Sequence, residues 1–343
     1  SNRRQRQMCI RDSILLIHAR QVKWIWRHNG GMQQLAAFWL RCLLPLAAVG
    51  MASCASVLEQ DDAVAVVPYQ LSEAGLLLVE AHVNGRGPFD FALDTGATIS
   101  AVFDEVCDGA DLDRTSRRPV RIQGMINQGS FPTTSIDRLS VGAAAWTDAE
   151  VAIISGETPI SKHIDGILGV DFMRHYSVGY SSSERVIRLY PPELVAQRSY
   201  RGWLAIPLRQ LKTSNGDAAV YVIDLLIRGR KIPAIFDLGA GVNLMNWRAL
   251  RYMDIPSRRR RSDSEVSGAM ETASVDAELT VEVIQTGKLT WRRRKFLVAD
   301  LPILDILEFD KQPIAIVGTS LFGDRDFVID LQRDRLLVRR SRQ

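Results

Sequence analysis

Phe91-Ala92-Leu93-Asp94-Thr95-Gly96-Ala97-Thr98 and Ile235-Phe236-Asp237-Leu238-Gly239-Ala240-Gly241 are two copies of one pattern: an apolar run ending in an aspartate on a glycine turn. Upstream of the first copy lies Leu76-Leu77-Leu78-Val79-Glu80-Ala81-His82-Val83-Asn84-Gly85, and upstream of the second Tyr221-Val222-Ile223-Asp224-Leu225-Leu226-Ile227-Arg228-Gly229. Each reads as strand, glycine-containing turn, strand. Downstream, Gly124 and Gly268 follow their aspartates at nearly equal distance, each between segments suited to a hairpin. Gly166-Ile167-Leu168-Gly169 then matches Ala315-Ile316-Val317-Gly318. Two short paired strands follow each, 176–180 with 185–190 and 326–331 with 335–339. Four landmarks in one order identify a duplicated unit.

Most segments are short, β-branched and punctuated by Gly, Pro or Asn. Helical spacing is confined to 170–175, 244–252 and 319–323. The expected fold is all-β, with two homologous lobes at 54–195 and 196–343 and a cleft between them. Pro191-Pro192 opens the connection.

The 343 residues, 46% hydrophobic and 24% charged, exclude a disordered, collagen-like or polytopic membrane chain. The net charge of +4 misleads, because residues 1–53 hold eight Lys or Arg against Asp12 alone. The remainder carries 35 basic and 38 acidic residues, which argues against a nucleic-acid partner. Cys9, Cys42 and Cys54 lie in front, so Cys107 is the only cysteine behind them and no disulfide forms inside the lobes.

Residues 42–52 form an apolar run after Arg41 and end in small residues, the pattern of a signal peptide. Cys54 after Met51-Ala52-Ser53 resembles the lipobox of bacterial lipoproteins. That resemblance implies lipidation at Cys54 and export to the periplasmic face of the envelope, with Ala55 suiting the outer membrane. The competing reading is an uncleaved anchor, since 35–55 is long enough to span. Residues 1–31 show no packed pattern, are expected to be an upstream translation or sequence artefact, and are set aside.

A lone Asp-Thr-Gly is an ordinary strand-ending turn. Two copies at equivalent places in a duplicated β chain let Asp94 and Asp237 meet across a pseudo-twofold axis. Carboxylates about 3 Å apart cannot both ionise, so such a pair shares a proton. The ionised member deprotonates a water held between them while the protonated member polarises a carbonyl. This chemistry requires no metal or cofactor.

On Phe91 to Thr98 with Gly166-Ile167-Leu168-Gly169, the chain resembles the retropepsin-like aspartic proteases over residues 64–340. The resemblance implies a six-stranded barrel per lobe, peptide-bond hydrolysis of a peptide or protein substrate, and a flap at Gln123-Gly124-Met125. Asp94 and Asp237 would be the catalytic pair, on turns formed by Thr95, Gly96, Ala97 and Thr98 and by Leu238, Gly239 and Ala240. The chain would work as a monomer, an intramolecular pseudo-dimer. Three departures stand out. Leu238 replaces the Thr or Ser whose hydroxyl bonds across the twofold, which predicts a one-sided grip with an unsatisfied partner. Gly241 stands where Thr98 stands in the first copy, and Met125 where pepsins carry an aromatic residue. Leu238 therefore supports a rival reading, a pseudoprotease that holds extended peptides by strand addition. A third reading is a purely structural envelope lipoprotein.

Other features read as bland. Arg258–Arg261 and Arg292–Lys295 suit a solvated loop and an exposed strand end. His82, His163 and His175 lack metal spacing. Cys107 is expected buried, and Ser181-Ser182-Ser183 lacks a nucleophile elbow.

Overall fold

The computed structural model describes residues 62–340 apart from 116–118, 124–127, 198–199, 201, 213–218, 257–264, 268–271, 308 and 310. All of these belong to one compact unit, Ser56–Gln343. Cys54, Gly124, Met125 and the run Arg258–Arg261 lie outside the described residues, as does the leader.

Both halves fold into a closed six-stranded barrel with the same strand order. In the first, Leu77–Val83 pairs Arg86–Leu93, followed across the sheet by Gly166–Leu168, Ala101–Phe103, Ala144–Ile154 and Thr133–Val141. The ring closes where His82 and Val83 face Ser140 and Leu139. In the second, Ala219–Ile227 pairs Arg230–Phe236, then Ala315–Val317, Leu244–Met245, Leu289–Val298 and Ala277–Thr286. Closure there sets Leu226 and Ile227 against Gln285 and Ile284. Short strands Gln70–Leu71 and Arg209–Lys212 flank the two barrels at corresponding places.

The local sequence explains the matching hairpins. Asn84-Gly85 takes the left-handed conformation at both residues (φ 51° and 76°), the turn whose twist suits paired strands. Arg228-Gly229 repeats it at φ 51° and 76°, with arginine in a region that Asn or Gly occupies more cheaply. Three-residue strands 166–168 and 315–317 are wholly buried and apolar, as centrally placed strands must be. Each runs parallel to the strand that ends in an aspartate and antiparallel to the next.

A six-stranded sheet joins the halves, taking Ala65–Pro68, Val186–Tyr190 and Ser177–Ser181 from one and Phe327–Asp330, Arg335–Arg339 and Trp203–Pro207 from the other. Its central seam pairs Val178–Tyr180 with Phe327–Ile329. Tyr180 stacks on Phe327 at 4.7 Å, accepts a hydrogen bond from the Tyr69 hydroxyl at 2.8 Å and donates to Gly323 O. The largest apolar cluster runs through both halves, so they share a core. Phe236 is fully buried edge-on to Phe322 and Phe327, and truncating it to alanine would cost about 3–5 kcal/mol.

The three helical stretches expected from spacing form as Val170–Met173, Trp247–Tyr252 and Thr319–Phe322, with 244–245 instead a strand. Among the described residues, three further short α-helices were not legible: Asp104–Gly109, Pro192–Gln197 and Pro302–Ile306. The second occupies the connection after Pro191, with proline at the first helical position, where its missing N–H costs nothing. Cys107 is buried.

Candidate active site

Each aspartate follows the last residue of a buried strand and is fixed by the neighbouring short strand. Asp94 N donates to Leu168 O at 3.0 Å and Asp237 N to Val317 O at 2.9 Å. The turns then fold back on the carboxylates. Gly96 N and Ala97 N donate to Asp94 Oδ1 at 2.7 and 3.2 Å, and Gly239 N donates to Asp237 Oδ1 at 2.8 Å.

The turns meet face to face. A Cβ on Gly96 would stand 2.9 Å from the Asp237 carboxylate, and one on Gly239 would stand 2.5 Å from Asp94 Cγ. Each glycine is therefore a gap into which the opposite carboxylate fits. The Asp94 carboxyl lies close enough to Asp237 to disfavour its ionisation. Asp237 is buried, 5% exposed, while Asp94 is half-buried. Burial holds the Asp237 carboxyl well above the usual carboxylate range, the neighbouring Asp94 carboxyl pushes it further, and the N–H groups of Gly239 and Gly96 offset part of this.

One hydroxyl ties the turns together. Thr95 Oγ1 donates to Phe236 O and accepts from Leu238 N, both at 2.9 Å and fully buried. The Leu238 side chain, also fully buried, packs in the shared apolar core. The grip is one-sided, as the missing hydroxyl requires. The expected unsatisfied partner is not found at Thr95, whose hydroxyl uses both its donor and its acceptor capacity.

A second set of supports carries no local sequence signal. Ser100 donates through N and Oγ to Asp171 at 2.7 and 2.6 Å, and accepts from Gly169 N at 2.9 Å. Burial raises the Asp171 carboxyl, partly offset by the two bonds from Ser100. This bracket holds the Asp94 turn against Gly169, where a Cβ would press on Ala97 O at 2.8 Å. In the other half the corresponding residues are Asn243 and Ser320, and Asn243 Nδ2 donates to Lys295 O instead. Seventy-one residues separate Ser100 from Asp171, so no local motif marks the pair.

Two short strand pairs form in equivalent segments of the two halves. Val120–Gln123 pairs with Gln128–Phe131, and Glu265–Ser267 with Thr272–Ser274. Val120 and Phe131 pack against the apolar cluster that contains Phe103, Ile160 and Ile167, with Ala97 and Ile99 of the first turn alongside. The strands on either side of the expected flap pair with one another, while Gly124 and Met125 lie outside the described residues. Among the described residues no group of three His, Cys, Asp or Glu could hold a metal.

Two closed six-stranded barrels, each delivering an aspartate on a glycine turn to one shared point, form the two-lobed fold of the retropepsin-like aspartic proteases. Residues 79–172 match the family model described as aspartyl protease, which supports a retropepsin-like aspartic protease family for this chain. The match spans Asp94 and Gly169 and stops before the second lobe, whose kinship rests on its shared strand order. Among solved structures, a retropepsin-like aspartic protease from Rickettsia conorii is similar at 19% identity, covering 40% of this chain and 91% of that one with a TM-score of 0.30. Comparison with curated proteins gives no match.

Proposed function

We propose that the chain is an aspartic endopeptidase in which Asp94 and Asp237 activate a water for attack on a peptide carbonyl. Family and fold support a protease function. The observation that carries the finer reading is the mutual fit of each carboxylate into the glycine gap of the other turn. Asp237, buried and pushed toward its neutral form, is the member suited to donate a proton to the carbonyl oxygen. Asp94, more exposed and held by two N–H groups, is the member suited to take a proton from water. Water attacks the carbonyl carbon, its proton passes to Asp94, and the Asp237 proton moves to the carbonyl oxygen. Collapse of the tetrahedral adduct returns a proton to the leaving nitrogen, and no covalent enzyme intermediate forms.

Leu238 favours a second reading, a cleft that binds extended peptides and cleaves them slowly or not at all, because half of the cross-lobe grip is absent. Digesting a diverse peptide pool at pH 4 to 8 in ¹⁸O-water separates the two. The endopeptidase reading expects new carboxyl termini carrying one ¹⁸O and no acylated protein. Peptides that bind yet stay intact would overturn it in favour of the pseudoprotease.

We also propose that the leader exports the chain and that Cys54 carries a lipid anchor. Among the described residues no helix is long and apolar enough to cross a membrane. Mass spectrometry of the membrane-extracted protein, with Cys54→Ser beside it, should show an acylated cysteine at the mature N-terminus that the variant lacks. An unmodified Cys54 behind an intact leader would support an uncleaved anchor.

A further inference from the structure

We propose that Thr319 of the second lobe and the turn Ser72–Gly75 of the first form a second clasp between the lobes, in which Thr319 is a positioning residue for the Asp237 turn. Only its kinetic test rests on the endopeptidase reading.

The turn is internally braced. Ser72 N donates to Leu76 O at 3.0 Å, Gly75 N donates to Ser72 O at 2.9 Å, and Leu76 N donates to Ser72 Oγ at 3.1 Å. With Gly75 at φ 79°, the turn presses its backbone directly against Gly241. A Cβ on Gly241 would overlap Ala74 O, and one on Gly75 would stand 2.9 Å from Gly241 Cα. This contact gives a physical reason for Gly241, because any side chain there would drive the lobes apart.

Thr319 Oγ1 lies 3.1 Å from Gly75 O and 3.5 Å from Ala240 O, so its single proton bonds chiefly across the lobe boundary. The residue before it, Gly318, sits so close beneath the Asp237 turn that a Cβ would overlap Asp237 O and Ala240 O. Ala240 N in turn donates to Asp237 O. Gly318 and Thr319 therefore hold the turn from below while the hydroxyl reaches the opposite lobe. The corresponding first-lobe residue is Val170, which has no hydroxyl to offer. The two ties are thus complementary: Thr95 reaches from the first lobe into the second, and Thr319 from the second into the first. Leu238 removed one half of the usual grip, and Thr319 stands where it can make good the loss.

The test compares Thr319→Val, Thr319→Ser and Gly241→Ala in the full chain by two readouts. Carboxyl ¹³C NMR follows the titration of Asp237, which Asp94 faces as its charged neighbour. Peptide cleavage gives kcat and KM separately. Thr319→Val should move the Asp237 midpoint down toward the ordinary carboxylate range as the turn loosens and water enters. It should also lower kcat about fivefold, the worth of one hydroxyl–carbonyl bond, with KM nearly unchanged. Thr319→Ser should match the wild type in both, and Gly241→Ala should shift both further than Thr319→Val. A Thr319→Val titration identical to wild type overturns the clasp. If Thr319→Val does not fold, an unshifted Gly241→Ala overturns it equally. A shifted titration in a chain that cleaves nothing keeps the clasp and rejects the endopeptidase reading.

Discussion

Replacing Thr95 with valine removes one hydroxyl and nothing else of comparable size, which makes it a clean probe of a grip that hangs on a single side chain. The side chain is fully buried, as are its partners Phe236 and Leu238. Valine fills the same space, so no cavity term arises. It leaves Phe236 O and Leu238 N each without the 2.9 Å bond they now make. A buried group deprived of its partner costs about 1–3 kcal/mol, so the pair is worth about 2–6 kcal/mol against a typical domain stability of about 5–15 kcal/mol. Thr95→Ser keeps both bonds and loses one methyl group, about 1 kcal/mol. Urea unfolding at neutral pH should therefore show Thr95→Val the less stable of the two by at least about 1 kcal/mol, with unchanged m-values. A valine variant as stable as the serine variant would refute the reasoning, because the two partners would then have other donors and acceptors.

Other expectations follow from the same geometry. Leu238→Thr should place a hydroxyl where the pseudo-twofold offers Leu93 O and Thr95 N. The gain of two bonds, about 2 kcal/mol, would nearly offset the lost apolar burial, whereas a loss above about 3 kcal/mol in urea would show that no partner awaits it. Gly96→Ala and Gly239→Ala put a methyl against the opposite carboxylate, so kcat should fall about a hundredfold or more in each, with near-wild-type activity counting against the mutual fit. The Asp237 carboxyl is raised in the folded state and takes its ordinary value of 3.8 when unfolded, so the folded state binds its proton more tightly. Its stabilising contribution is full below about pH 4 and is lost as pH rises through the folded-state value. Asp171 is shifted in the same direction and Asp104 in the opposite one. The difference in urea midpoint between wild type and Asp237→Asn should accordingly shrink or reverse from pH 4 to 8, and parallel pH profiles would contradict this.

The duplication was legible because its landmarks are local. Asn84-Gly85 and Arg228-Gly229 announce turns, Asp94 and Asp237 end apolar runs, and Gly169 and Gly318 close short buried strands. Strand order and barrel closure did not follow from the repeat, because they depend on pairings between segments distant in sequence; a barrel entered only through the family resemblance. The helices Asp104–Gly109 and Pro302–Ile306 escaped because five or six residues carry too little periodicity to stand out from a strand end. Within the site, the aspartates and their glycines could be named from motif alone. The supports could not. Ser100 with Asp171, and Thr319 with Gly75, are joined across 71 and 244 residues by folding, and no spacing rule predicts such pairs. Gly241 shows the difference most plainly. In sequence it is only a departure from the first copy, while in the structure it is the space that Ala74 O occupies.

The central claim is that two carboxylates act as one unit on a water molecule. It is tested most directly by incubating a diverse peptide library with the purified chain, Asp94→Asn and Asp237→Asn from pH 4 to 8, with folding of all three verified by circular dichroism. The account predicts internal cleavage by the wild type and none by either variant. Cleavage that survives in either variant, or a folded wild type that cuts nothing at any pH, would contradict it.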